Sequence, residues 1–551
     1  MQKRTTKHYH SFLRRMKKII LFAFILVFLV HCSSVKKHNT HLTAMIPVDE
    51  LKSDVDFTYR KLQKLHPQLY WYISKEDLDF KFDSLKSTIT TPSTPLAFYK
   101  KLSPVVAAIR QGHSYLYPAS AQMAKKETKA LIKKGTGPFS QFELEFFDDK
   151  LYVVKNKSSN KRIKIGSEIL AVNGIKPLEL IEEYNHYYSS DGYNTTLKTR
   201  TANNRFTSYF TVENGIKDSL TYTFNYNDSI QLVTIKRYKE DPTKKLKQAI
   251  IQKKVTLLDR AKSRAIRRKK RVNGYNSESN NYNRNLHFIE ENSSVAIMKV
   301  RSFSKGNIKT FYKESFQEIE KFKSNTLVLD LRHNGGGRLN EIVELYSYLA
   351  DSTFVFLDES EVVSKSSLMK GAYFNGGSFG IKILKAIYAP LAYSYLLFTV
   401  HKDETGKYKY ATQTKPHKMQ ANSFKGKIYV IIDGGSFSAS SLISSNLKGS
   451  KRVTFVGEET GGAFNGTVAG FMPVVELPYS ELNIRIGLMV MAPNHKTDIE
   501  GRGIFPDKEI KTTLEDRLKG NDPEIQWILK DIQSNKQESI ENRTKKVSLN
   551  N

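Results

Sequence analysis

The chain has 551 residues, enough for three to four domains at about 150 residues each. Hydrophobic residues make up 39% and charged residues 26%, a globular balance that excludes fibrous, disulfide-scaffold and multi-span membrane classes. Lys and Arg outnumber Asp and Glu by 87 to 55, a net charge of +32, and a single cysteine rules out an internal disulfide and a structural cysteine–zinc site. No H-E-x-x-H, Walker or G-x-G-x-x-G run occurs, so neither a metal nor an organic cofactor is expected.

In chain order, Arg14, Arg15, Lys17 and Lys18 precede the apolar run Ile19–Val30. At about twelve residues it is short for a spanning helix and suits the hydrophobic region of an export signal. Met16 opens a more compact version of that signal. Leu29-Val30-His31-Cys32 resembles the cleavage box of bacterial lipoproteins, with His31 where a small residue is usual. The resemblance implies lipidation of Cys32 and an exported, membrane-anchored protein of the bacterial cell envelope; an uncleaved signal anchor is the alternative. Residues 33–47 are polar and aperiodic, a tether. From 48 to 125, apolar residues such as Leu62, Leu65, Leu69, Phe98, Leu102 and Val106 recur largely at three- and four-residue steps, a helical domain broken by Pro92, Pro95 and Pro104. Gln111-Gly112-His113-Ser114 follows, then a strand from Tyr115 to Tyr117.

Residues 136–240 turn to strand patterns. Gly166-Ser-Glu-Ile-Leu-Ala-Val-Asn-Gly174 resembles the hairpin of PDZ modules, with Asn173-Gly174 suited to a tight primed turn. The resemblance implies a module that holds an extended peptide by strand addition; a generic β meander is the alternative. Residues 241–286 form a basic linker or loop ending in Arg267, Arg268, Lys269, Lys270 and Arg271. A solvated surface explains such a run, an anionic envelope surface is the next reading, and no aromatic-interleaved module supports a nucleic-acid partner. From 287 to 515, strands alternate with helices, the pattern of an α/β core with a largely buried sheet. An insert at about 363–424, apolar near Ile381–Val400, reads as a lid, an extra helix or a dimer contact. Residues 516–551 read as a polar, fraying tail.

Two strings carry chemistry. In Leu327-Val-Leu-Asp330-Leu-Arg332-His333-Asn334-Gly335-Gly336-Gly337 a buried strand runs into three glycines, which let backbone N–H groups face a ligand closely. In Ile428-Tyr-Val-Ile-Ile-Asp433-Gly-Gly-Ser436-Phe-Ser438-Ala-Ser440 a strand, a glycine turn and a serine-rich helix start succeed one another. A serine at a helix N-terminus faces unpaired N–H groups that favour an oxyanion. The plainer reading is that these serines cap the helix.

Together with Val456-Gly-Glu-Glu-Thr460-Gly-Gly and Ile499-Glu500-Gly-Arg-Gly503-Ile-Phe-Pro506-Asp507, the strings resemble the tail-specific, C-terminal-processing and tricorn-like serine peptidase family, over most of residues 50 to 515. The resemblance implies an α/β, α+β multidomain protein: a helical N-terminal domain, the PDZ-like module, and a crotonase-like peptidase core acting on polypeptide. It places the nucleophile at Ser438, with Ser436 and Ser440 as near misses, and the oxyanion donors at Ala439 and at Gly336 or Gly335. The tail-specific branch uses a lysine that would fall near Ala463, where this chain has none. The tricorn-like branch uses Ser-His-Glu, which maps to His113 and Glu500, with Glu500 raising the pKa of the base; His495 is the runner-up base. The rivals are a binding protein with an idle serine and a basic envelope scaffold.

Overall fold

The computed structural model describes residues 35–239, 260–289, 292–371, 373 and 378–549, so the signal segment and Cys32 lie outside the described residues. The stretch expected to be a tether opens with a short helix, α1 (Val35–His41), whose His38 and Asn39 reach the carbonyls of Ser120 and Gln122. Then come α2 (Val48–Leu65), α3 (Lys75–Thr88) and α4 (Pro95–Ala107). Ser74 and Thr94 cap α3 and α4 by accepting from Asp77 and Ala97 N–H. Pro95 sits in the first turn of α4, where its missing N–H costs nothing, and Pro104 lies inside the helix without ending it. Leu51, Val55, Leu62, Leu78, Phe82, Phe98, Leu102 and Val106 are buried, so the recurrence at three and four residues marks the inner faces.

Among the contacts that dock this helical layer on the later chain, a buried carboxylate and a strand pairing stand out. The buried Asp54 carboxylate accepts from Tyr479 N–H (3.2 Å), Ser480 N–H (2.7 Å) and the Ser480 hydroxyl (2.5 Å). The short strand β1 (Tyr115–Leu116) pairs antiparallel with a strand more than three hundred residues on, setting Tyr115 opposite Arg485.

After α5 (Lys125–Lys134), a five-stranded antiparallel sheet runs β2 (Phe142–Phe147), β3 (Lys150–Asn156), β4 (Glu168–Val172), β5 (Ser219–Tyr226), β6 (Ser229–Lys236), in that order. Asn173 and Gly174 take positive φ in the turn after β4. Between β4 and β5 lie two helices that a strand pattern does not announce, α6 (Pro177–Asn185) and α7 (Thr196–Asn214). Helix α7 is rich in Thr, Asn and aromatics, which are modest helix formers. Packing decides instead: Tyr209 stacks on Tyr184, and Phe206 and Phe210 meet Phe139 edge-on. The basic stretch is partly helical too, as α8 (Arg260–Asn273), followed by the hairpin β7 (Tyr275–Asn276) and β8 (Asn281–Tyr282).

The α/β core follows: β9 (Arg284–Ile289), β10 (Asn292–Val300), α9 (Ile308–Lys321), β11 (Thr326–Asp330), α10 (Leu339–Ser347), β12 (Ser360–Val362), α11 (Phe379–Thr399), β13 (Val400–Lys402), β14 (Tyr408–Tyr410), β15 (Lys427–Ile432), α12 (Ala439–Lys448) and β16 (Val453–Gly457). Short strands β17 (Thr467–Ala469), β18 (Val474–Glu476), β19 (Asn483–Arg485), β20 (Met489–Met491) and β21 (Lys508–Glu509) precede α13 (Leu514–Lys519) and α14 (Pro523–Leu549). The main sheet has the order β21-β16-β15-β11-β10-β9, parallel except for β9.

Both faces of this sheet are covered, which is why its strands read as continuous apolar runs. Leu327, Leu329, Ile428, Val430 and Ile432 join the main core, while Val328, Tyr429 and Ile431 face a second cluster closed by Ile528 of α14. The C-terminal stretch, expected to fray, therefore begins as a helix over the sheet. Arg332 fastens it by bonding Asp522 and pairing with Glu524, and Tyr429 donates to Asp531 at 2.5 Å.

Candidate active site

Strands β11 and β15 are neighbours and parallel, so the two chemical strings leave the sheet side by side. Phe437 N–H donates to the Asn334 carbonyl at 3.0 Å, stitching serine turn to glycine turn. Asp433 holds both: Oδ1 accepts from His333 N–H and Gly435 N–H, each at 2.9 Å, and Oδ2 lies 2.6 Å from His333 Nδ1 and 2.8 Å from Arg200. Burial alone would raise the Asp433 carboxyl; the hydrogen bond from His333 and the charge of Arg200 hold it well below the usual range.

Three serines share the turn and differ in what they do. Ser436 is fully buried, donates to the Leu331 carbonyl at 2.8 Å and accepts from Asp433 N–H. Ser440 is sealed inside α12. Ser438 alone is partly open, at the N-cap of α12, with φ +59° and ψ −122°. Its hydroxyl makes no capping bond, so the plain role of a serine at a helix start is not the one it plays. A non-glycine residue held in a sparsely populated conformation is a strain that the surroundings must sustain.

Gly336 explains the glycines. At φ +97°, a Cβ there would lie 2.8 Å from Ser438 Cβ and 2.9 Å from Ala439 N; only a residue without a side chain lets this backbone touch the serine turn. Its own N–H donates to Asn334 Oδ1 at 2.9 Å, so the expected donor Gly336 is committed to a local turn. Gly335 is exposed beside it, and Ala439 N–H opens the helix at Ser438.

His113 arrives from the helical domain. β1 pairs with β19, Val468 N–H donates to Gln111 Oε1, and Gly112 packs so closely that a Cβ would sit 2.8 Å from Phe437 Cζ. The His113 ring lies 4.7 Å from that of Phe437, the residue before Ser438. Its Nε2 is buried without a hydrogen-bond partner. Burial, and then the Arg485 charge, push the imidazole down to about 3, opposite to the upward shift expected from Glu500.

The structure brings Glu500 less close. It is exposed, and Oε2 accepts from Asn465 Nδ2 at 2.8 Å; among the described residues no hydrogen bond joins it to His113. His495 lies at the other end of α12, its ring against Gly449, roughly 15 Å from Ser438 by helical rise over ten residues.

An acid that sequence reasoning missed stands nearer to the histidine. Asp191, buried in the loop between α6 and α7, accepts from Gly112 N–H at 2.9 Å through Oδ1. Burial pushes it up to about 7, an effect that Gly112 N–H, the Thr467 hydroxyl and Ala463 N–H only partly offset. The buried Tyr72 hydroxyl is raised first by burial and then by the charges of Asp191 and Glu500, so it lies near both acids. The only sign in the sequence is the turn string Ser189-Ser190-Asp191-Gly192, which carries no periodicity and joins the site only through long-range folding.

Residues 294–510 match the model of peptidase family S41. The chain carries a peptidase family S41 domain. No curated protein sequence matches it. Among solved structures it is similar to mature CPAF, 13% identical with a TM-score of 0.53 over 86% of this chain and 95% of that one. Mature CPAF complexed with lactacystin is 14% identical at the same TM-score, 0.53, and the same coverage, 86% and 95%. The photosystem II D1 C-terminal processing protease is 13% identical with a TM-score of 0.37, over 85% of this chain and 96% of that one. At these identities the likeness to CPAF speaks to fold alone; the S41 domain makes this a serine-type peptidase, which acts on polypeptide.

Proposed function

We propose that this S41 chain is an exported, envelope-tethered peptidase that cleaves peptide bonds through an acyl-enzyme at Ser438, with His113 as general base. The observation that carries this is the Ser438 turn: a strained, uncapped serine at a helix N-terminus, with the Gly336 backbone against it and the His113 ring on its neighbour. A serine hydroxyl attacks only when a base takes its proton, and a histidine held neutral by burial is ready to do so. His113 Nε2 accepts the Ser438 proton as Oγ bonds to the substrate carbonyl carbon. The tetrahedral oxyanion is met by Ala439 N–H and Gly335 N–H, with Gly336 N–H available once its peptide leaves Asn334. The imidazolium then protonates the leaving amine as the C–N bond breaks, and water repeats the sequence on the ester.

Asp191 serves this scheme as a positioning residue, fixing the backbone that carries His113 and, when ionised, favouring the imidazolium. Glu500 serves at longer range, through the loop that Asn465 holds. The β2–β6 sheet is read as PDZ-like. A groove of about 450 Å³ lies between the loop Gly137–Ser140 before β2, Thr207, Phe210 and Thr211 of α7, and Leu220 of β5, and it suits an extended peptide. Export and the anchor rest on the segment ending at Cys32. Labelling by a fluorophosphonate probe tests the mechanism: covalent capture at Ser438 is expected, and an unlabelled, folded chain leaves the binding protein on the same scaffold as the reading.

A further inference from the structure

Helix α11 is the one helix among the described residues that is long and apolar enough to cross a membrane, and little of it is buried. Of its 21 residues, Ile383, Leu384, Ile387, Tyr388, Leu391, Tyr395 and Phe398 are exposed, Leu391 at 75% and Phe398 at 88%. From Leu384 to Phe398 they recur at three- and four-residue steps, so they form one continuous stripe. Ala389 and Leu396 face the other way, toward the protein. A stripe of this size on a soluble protein marks a contact surface.

Its length and composition suit a membrane span, but its packing on the protein does not. β12 ends before the helix and β13 begins directly after it, and both pair with β14 in one three-stranded sheet. A helix of about 30 Å that crossed a bilayer would stand clear of the protein, whereas Ala389 and Leu396 hold one face of α11 against it. Phe379–Thr399 holds no acidic residue, and its charges are Lys382 and Lys385 in the N-terminal turns. In a self-paired dimer Lys382 meets no carboxylate from the facing copy of the helix, whereas anionic headgroups complement it. Tyr388 and Tyr395 lie within the stripe, and tyrosine favours the boundary between acyl chains and headgroups. The chain also brings its own route to a bilayer in Ile19–Val30.

We propose that α11 lies in the plane of a membrane surface, with the Leu384–Phe398 stripe immersed among lipid acyl chains and the lysine end at anionic headgroups. The inference rests on the envelope half of the proposed function for delivery to the membrane, and on nothing in the catalytic half. A single lipid or apolar segment holds a protein to a bilayer only marginally, and a second contact on the same chain converts loose attachment to stable attachment.

The test places a tryptophan in the stripe of the full chain, as Leu391→Trp, against the parent, whose only tryptophans are Trp71 and Trp527. Vesicles of phosphatidylcholine and phosphatidylglycerol are prepared with and without acyl-chain bromines. The added emission should shift to the blue and be quenched by about twofold or more by the bromines. Leu384→Trp and Phe398→Trp should report one shared, shallow depth. A chain that floats with vesicles while the added tryptophan stays unquenched overturns the inference and leaves the N-terminal anchor standing. Quenching that survives when Cys32→Ser removes lipidation supports the inference and separates it from the anchor. Blue-shifted emission indifferent to bromine, with cross-linked dimers through position 391, assigns the stripe to a second copy and overturns the inference. Different depths at 384 and 398 overturn the in-plane geometry.

Discussion

Helices α11 and α12 reverse the usual relation between polarity and burial. α12 is rich in serine, yet Ser440, Ser441, Ser444, Ser445 and Asn446 are all buried. α11 is built of Ile, Leu, Tyr and Phe, yet its main face is in solvent. The polar helix can be buried because most of its side chains find partners: Ser441 donates to the Ser436 carbonyl, Ser445 to those of Ser441 and Phe464, and Asn446 to that of Phe356. Those bonds set the helix so that its N-terminus presents Ser438. The apolar helix meets its own fold only on the Ala389 and Leu396 side, and its exposed stripe is what the proposed membrane surface would cover. In the proposed function each departure from the rule has its own use: one helix aims a nucleophile and the other faces a bilayer.

The largest expected effect separates aim from scaffold within the serine turn. Ser438→Ala should lower peptide hydrolysis by about three orders of magnitude or more, with unchanged circular dichroism and melting temperature. Ser436→Ala removes one of two donors to the Leu331 carbonyl and the acceptor of the buried Asp433 N–H and should cost roughly 1–3 kcal/mol of stability, read by urea unfolding. His113→Ala should match Ser438→Ala, because nucleophile and base act as a unit, while His495→Ala, at the far end of α12, should leave kcat/KM near normal.

Asp191→Asn probes pH. His113 titrates near 3, so a rise of kcat/KM around neutrality reports Asp191, which titrates near 7; ionised, it favours the imidazolium of the transition state. The parent should gain activity as pH rises through about 7, and the variant should be flat from about pH 5 to about pH 8. Stability moves the other way. The unfolded Asp191 loses its proton near about 4 and the folded one near about 7, so across that interval the folded state binds more protons and stability falls as pH rises. Asp191→Asn should therefore raise the melting temperature at about pH 8 and leave it unchanged at about pH 4.

The smallest effect sharpens the contrast between the two helices. Leu391→Ser on α11 should change stability in solution by no more than about 0.5 kcal/mol, although it removes a large apolar side chain. Ser445→Val on α12 should cost about 1–3 kcal/mol although it adds one, because it leaves the Phe464 carbonyl unpaired in the interior. Paired denaturant curves read both.

These contrasts show what the sequence makes legible. The strands Thr326–Asp330 and Lys427–Ile432 and the helix after Ser438 follow from continuous apolar runs closed by glycines. The positions Ser438, His113 and Glu500 come from ordered motifs. Helices α6 and α7 were hidden because aromatic packing, not propensity, forms them. The start of α14 was hidden because its sheet-facing residues, Ile525, Trp527, Ile528 and Ile532, are scattered among charges. Asp191 was invisible because its meaning depends on Gly112, distant in the chain and adjacent only in the fold. A pattern of residue types records faces and turns; it does not record which loop closes on which.

The most direct test of the central claim is capture of the nucleophile in the full chain. The chain is treated with a fluorophosphonate, digested and mapped by tandem mass spectrometry, in parallel with folded His113→Ala. A single adduct on Ser438, formed in the parent and strongly slowed in His113→Ala, is the predicted result. An adduct on Ser436 or Ser440, equal labelling of the His113→Ala chain, or no adduct on a folded parent contradicts the account.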